Sequence, residues 1–137
     1  MRVLVLYAGE GRRIQAAAKI ISSAIRSRGH EVEEVRAENS SRTTSLFAHD
    51  LVYVGSQVTG TWGGKFSPAL TSYLRECTGL EGKKAVVFVT PKLLGTGKAM
   101  KKIMSLLEEK GSIVIDFGSL RKSSEAQDLA KRISHLE

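Results

Sequence analysis

The stretch that most constrains the fold runs from Asp50 to Cys77. Leu51 to Val54 is a short apolar run with two valines and a tyrosine, the composition of a strand buried on both faces of a parallel sheet. Gly55 and Ser56 are read as its end. Gln57 to Lys65, dominated by glycine and hydroxyl residues, reads as a loop carrying the sole tryptophan, Trp62. Ser67 stands where an N-cap is expected and Pro68 at the first helical position, where a missing N–H costs nothing. Leu70, Tyr73, Leu74 and Cys77 then repeat at i, i+3, i+4, i+7, one face of a helix. Ligands of open parallel sheets bind beyond the carboxyl ends of the strands, so Trp62 is a candidate ligand contact.

The same unit recurs along the chain. Arg2 to Tyr7 is an apolar strand followed by a glycine turn and a helix whose face is Ala17, Ile20, Ile21, Ala24 and Ile25, stopped by Gly29. His30 to Arg36 reads as a charged edge strand with Val32 and Val35 inward, and Ala37 to Thr44 as polar loop. Ser45 to His49 reads as a short helical turn. Lys83 to Thr90 is a fourth strand, and Ala99, Met100, Ile103, Met104, Leu106 and Leu107 line a helix ending at Lys110-Gly111. Ser112 to Phe117 is a fifth strand, and Ser123 or Ser124 caps a last helix facing inward through Ala126, Leu129, Ala130 and Ile133. With 137 residues and no linker or repeat, these elements predict a single doubly wound α/β domain, residues 1–137, with a short or absent second helix.

Asp50, the Gly55-Ser56 pair, Trp62, Pro68 and Tyr73-Leu74 together resemble the flavodoxin segment that runs from the central strand into the loop flanking the flavin ring. Flavodoxins often have proline after the Gly-Ser pair, where this chain has Gln57. The resemblance extends over essentially the whole length. It implies a flavodoxin-like five-stranded parallel sheet in the order 2-1-3-4-5, FMN as cofactor and electron transfer as the role. It also implies that Trp62 stacks on the isoalloxazine, with Gln57, Thr59, Gly60, Thr61 and Gly63 in the same loop. Amides of the loop from Pro91 to Gly97, which includes Leu93, Gly95 and Thr96, are implied to meet the polar edge of the ring.

The first loop, Gly9-Glu10-Gly11-Arg12-Arg13, is where the resemblance implies the phosphate. Its glycines let amides approach an anion, and it feeds a helix N-terminus. Flavodoxins usually carry Ser/Thr-x-Thr-Gly-x-Thr there; aligning Gly11 with the motif glycine puts Ala8, Glu10 and Arg13 where the three hydroxyl residues belong. Each lost hydrogen bond to a charged group is worth roughly 1.5–3 kcal/mol. Glu10 adds repulsion, about 1 kcal/mol per charge pair at ~4 Å in water and about 4 at an effective dielectric of 20. Arg12 and Arg13 either pair with the phosphate or neutralise Glu10.

Two alternatives stand beside FMN. One is a flavodoxin-fold protein that has lost FMN through Ala8, Glu10 and Arg13 and serves as a binding or regulatory partner. The other is a different nucleotide in the same cleft: Gly9-x-Gly11 opens a dinucleotide-type fingerprint, with Ile14 where Gly or Ala belongs and Glu33, Glu34 or Glu38 as acidic candidates. Gly95-Thr96-Gly97-Lys98 is no P-loop, because Lys92 replaces its first glycine and Ala99 its hydroxyl residue. A phosphoacceptor receiver domain is excluded by Tyr7-Ala8 and Gly55-Ser56 at the strand ends that need acids.

Twenty-one Lys and Arg against fourteen Asp and Glu give a net charge of +7. Flavodoxins tend to be acidic, so this chain is expected to dock on an acidic surface of a redox or regulatory partner instead. The basic residues are scattered without an aromatic platform, which argues against specific nucleic-acid binding. The lone Cys77 excludes an intrachain disulfide, its place on an apolar helix face suits inert core, and the apolar runs are too short for a membrane span. A soluble cytoplasmic protein is expected. His30, His49 and His135 suggest no metal site.

Overall fold

A computed structural model describes residues 1–40, 45–60, 63–92 and 94–136. Its strands are β1 (Arg2–Ala8), β2 (Glu31–Arg36), β3 (Leu51–Thr59), β4 (Lys65–Phe66), β5 (Lys84–Thr90) and β6 (Ile113–Ser119). The α-helices are α1 (Arg12–Arg26), α2 (Pro68–Glu76), α3 (Thr96–Glu109) and α4 (Ser123–Lys131), with 3-10 turns at Ala37–Asn39 and Arg132–His135. The sheet runs β2-β1-β3-β5-β6, all parallel, and β4 adds an antiparallel pair to the end of β3. The five parallel strands thus stand in the expected order, and the two-residue β4 is an addition to it.

The side-chain alternation of the strands feeds two cores, one on each face. Val3, Val5, Leu51, Tyr53, Val86 and Phe88 pack against Ile14, Ile21 and Ile25 of α1 and Ala126 and Leu129 of α4. Leu4, Leu6, Val52, Val54, Ala85 and Val87 pack against Leu70 and Leu74 of α2 and Ile103 and Leu107 of α3. Cys77 is buried in the second core, and Met100 and Met104 pack on its margin. Strand β2 lies on one edge with Glu31 and Glu33 exposed; β6 lies on the other with Ile113 and Phe117 exposed.

Several expectations give way to packing. Strand β3 does not stop at Gly55-Ser56 but continues through Gln57 and Thr59. Gly55 pairs with Phe88 of β5, and a Cβ there would lie 2.1 Å from the ring, so the glycine makes room rather than a turn. Val58 is buried and pairs with Phe66, and Thr59 pairs with Lys65, so both ends of the expected loop are antiparallel strand. Ser45–His49 is no helix: Ser45 bridges Thr78, and the Leu46 amide donates to the Thr78 carbonyl at 2.8 Å while Leu46 enters the core. Helix α3 begins at Thr96, three residues before the expected apolar face, with Gly95 at φ 85° before it. Ser67 and Pro68 hold the expected N-cap and first helical positions of α2, although the Ser67 hydroxyl makes no cap bond; at α4 the N-cap is Lys122, and Ser123 is the first helical residue. Among the described residues of the β2–β3 connection, the helical element is the 3-10 turn Ala37–Asn39, inside the stretch expected to be polar loop.

Candidate functional site

The carboxyl ends of β1, β3 and β5 bring three loops to one edge of the sheet, and Gln57 joins the first two. Its side-chain carbonyl accepts the Gly11 amide hydrogen at 2.9 Å. The chains approach so closely that a Cβ on Gly9 would lie 2.8 Å from Gln57 Cβ. Loops two and three are fastened from the other side. Lys92 Nζ donates to the Gly60 carbonyl at 3.2 Å, Lys102 Nζ to the Gly63 carbonyl at 2.6 Å, and a Cβ on Gly64 would lie 2.7 Å from the Gly95 carbonyl oxygen.

The first loop already holds an oxyanion that belongs to the chain. The Gly9 amide donates to Glu38 Oε2 at 2.7 Å, and the Ser67 hydroxyl donates to the same oxygen at 2.6 Å. Arg36 Nε lies 3.4 Å from Glu38 Oε1 and donates to the Gly9 carbonyl at 3.1 Å. A carboxylate received by an amide, a hydroxyl and a guanidinium is a charge-assisted arrangement of the kind that holds phosphate oxygens. The donors therefore suit an oxyanion, even though Ala8, Glu10 and Arg13 bring none of the hydroxyls expected there.

The remaining residues read as site candidates divide. Glu10, Arg12 and Arg13 are exposed at the start of α1, and no ion pair among the described residues holds either arginine or joins it to Glu10. Arg13 lines a small hollow with Leu120, Lys122 and Ala126, on the side of α1 that faces α4. Gln57 and Thr59 belong to β3, not to a loop, because Val58 between them is drawn into the core. Thr96 and Gly97 are the first residues of α3; the Thr96 hydroxyl donates to the Lys92 carbonyl at 2.8 Å and accepts the Lys92 amide at 3.2 Å, which ties the start of α3 to Lys92. Thr61, Trp62 and Leu93 lie outside the described residues.

Arg36 and Ser67 were not read as site residues from the sequence. Arg36 looks like edge-strand charge and Ser67 like a helix cap; their common partner, Glu38, is 29 residues from Ser67. From the sequence Glu38 is a candidate acid for a dinucleotide ribose; in the fold its Oε2 is engaged by Gly9 and Ser67 instead. Ile14 is fully buried and packs toward Gly9, filling the space that the dinucleotide fingerprint keeps small. Below the loop, burial foremost and the Glu34 carboxylate second raise the Tyr7 phenol above its ordinary pKa, with Arg36 opposing. The exposed Lys65, Lys92, Lys98 and Lys102 lie against the second and third loops and bring positive charge to them. No cluster of metal-ligating side chains occurs among the described residues.

This arrangement of strands and helices is similar to that of solved flavodoxins. Flavodoxin 1 from Bacillus cereus superposes with a TM-score of 0.79 at 18% identity, covering 100% of both chains. The fold is flavodoxin-like. The Streptococcus pneumonia TIGR4 flavodoxin gives 0.76 at 12% identity over 100% of both chains, and Megasphaera elsdenii flavodoxin 0.69 at 21% over 97% of this chain and 98% of that one. No family model matches the chain, and no curated protein sequence does either. At such identities the likeness carries the flavodoxin-like fold alone, and function rests on the site. No helix among the described residues is long and apolar enough to cross a membrane.

Proposed function

We propose that this protein is an FMN-binding electron-transfer domain of the flavodoxin type. The observation that carries the reading is the convergence of three glycine-bearing loops at one sheet edge, the first with amide, hydroxyl and guanidinium donors around an oxyanion. In this reading FMN, when bound, supplies reversible electron transfer; the chain supplies position and electrostatics. The first loop receives the phosphate, Trp62 stacks on the ring, and amides of the segment from Pro91 to Gly97 meet its polar edge. Lysines around the second and third loops hold the loop carbonyls and present a positive rim to an acidic redox partner.

The test is the visible spectrum of the purified protein, followed by FMN titration read through the sole tryptophan, Trp62. Saturable quenching, weakened binding in Trp62→Ala and a yellow complex are expected. A colourless protein whose fluorescence ignores FMN at high concentration rejects the reading.

A second reading is favoured by the absence of the three hydroxyl residues and by the chain's own occupation of the Gly9 and Gly11 amides. In it the protein binds no flavin and uses the lysine-rich rim to meet an acidic protein. Salt-sensitive association of a flavin-free protein with such a partner supports it.

A further inference from the structure

The Glu38 carboxylate sits at the mouth of the candidate phosphate loop, on donors that a phosphate needs. Each contact comes from a different element: Gly9 from the β1–α1 loop, Ser67 from the residue before α2, Arg36 from the end of β2. Ser67 gives up helix capping for this bond, since no side-chain cap closes α2. The Glu38 side chain is 22% exposed, so it lies within reach of an incoming ligand. A neutral strut at this position would satisfy the Gly9 amide equally well; a carboxylate in addition repels any other anion there.

We infer that Glu38 is an intramolecular stand-in for phosphate, and that Gly9, Ser67 and Arg36 form a phosphate-binding set that is released when Glu38 is displaced. The inference rests on the flavin reading for its ligand but not for its chemistry. Ser67 and Arg36 then supply, from the α2 and β2 ends, donors that Ala8 and Glu10 do not supply from the first loop. Binding of a phosphorylated ligand carries the cost of expelling a bonded carboxylate, so affinity is set low until Glu38 moves. Arg36, already 3.1 Å from the Gly9 carbonyl through Nε, stays beside the loop and changes partner from carboxylate to phosphate.

The experiment compares wild type, Glu38→Ala and Glu38→Gln for FMN and for riboflavin, which lacks the phosphate, by flavin fluorescence titration. In parallel, thermal unfolding of each protein is followed with inorganic phosphate. Removing the carboxylate is expected to tighten FMN at least about tenfold, leave riboflavin unchanged and allow phosphate to raise the melting temperature of the variant but not of wild type. Adding Arg36→Ala to Glu38→Ala should reverse the gain. Should Glu38→Ala not fold, Glu38→Gln keeps an oxygen for Gly9 and Ser67 and should show a smaller gain of the same sign. Equal FMN affinity in all folded variants, or an equal gain for riboflavin, overturns the inference while leaving the flavin reading intact. Phosphate stabilisation of the variants with no flavin bound by any protein does the reverse.

Discussion

The side-chain carbonyl of Gln57, on β3, lies 2.9 Å from the amide nitrogen of Gly11, at the entry to α1. Through this bond the central strand fixes the shape of the first loop. Replacing Gln57 with Ala removes the acceptor without burying a new group, and the partly exposed amide can turn to water. The expected loss is at the low end of the hydrogen-bond range, about 0.5–1.5 kcal/mol. Urea unfolding measures it, and faster amide exchange at Gly11 locates it.

Gly55 and Phe88 should behave as one packing unit. An added Cβ at Gly55 meets the Phe88 ring at 2.1 Å, so Gly55→Ala is expected to cost about 1–3 kcal/mol or more. In a Phe88→Leu background the same change should cost less, giving a non-additive double-mutant cycle by denaturant unfolding. Simple additivity would mean that the ring is not what Gly55 accommodates.

Gly64→Ala separates the second and third loops. Its φ of 62° disfavours a side chain, and the Cβ would lie 2.6 Å from the Ala99 nitrogen. FMN and riboflavin should both bind more weakly, because the ring side of the site is disturbed, in contrast with the phosphate-only effect expected at Glu38. Titration of both flavins separates the two sides.

Alkaline stability should depend on Tyr53. Burial, with a smaller contribution from the Asp116 carboxylate, raises its phenol far above the ordinary 10.0. The folded state therefore keeps the proton after the unfolded chain has lost it. The stabilising effect is complete below pH 10 and declines as pH rises from there toward the folded pKa, at about 1.4 kcal/mol per pH unit for one proton. Tyr53→Phe removes this slope while sacrificing one 3.4 Å hydrogen bond to the Leu129 carbonyl. Unfolding free energies of the two proteins between pH 9 and 11 should converge as pH rises.

Cys77 should be a silent thiol. It is 1% exposed, and burial raises its pKa above the ordinary 9.0 despite the opposing Lys110 charge. Alkylation with iodoacetamide near neutral pH should label the unfolded chain at one site and the native chain hardly at all.

How much was legible in the sequence differs between fold and site. Apolar runs such as Val3 to Tyr7 and Lys83 to Thr90, each followed by a helical face, specify parallel strands buried on both sides, because alternating side chains must be apolar in both directions. Resemblance added the strand order, which periodicity does not encode. The edges of elements were less legible: Gly55 reads as a stop in one dimension, and only the neighbouring Phe88 makes it the middle of a strand.

The sequence by itself determined the layered α/β architecture, the buried helix faces, the glycine-bearing turns and the loss of hydroxyls at Ala8, Glu10 and Arg13. Tertiary structure alone decided what stands in their place. Glu38, Ser67, Arg36 and Gly9 come from separate elements, and no local pattern couples them; the parallel pairing of β1 with β2 and β3 brings those element ends to one edge. Periodicity records which side of an element faces the core, since that choice repeats every few residues. A hydrogen bond across a crossover is made once, and only the folded chain specifies it.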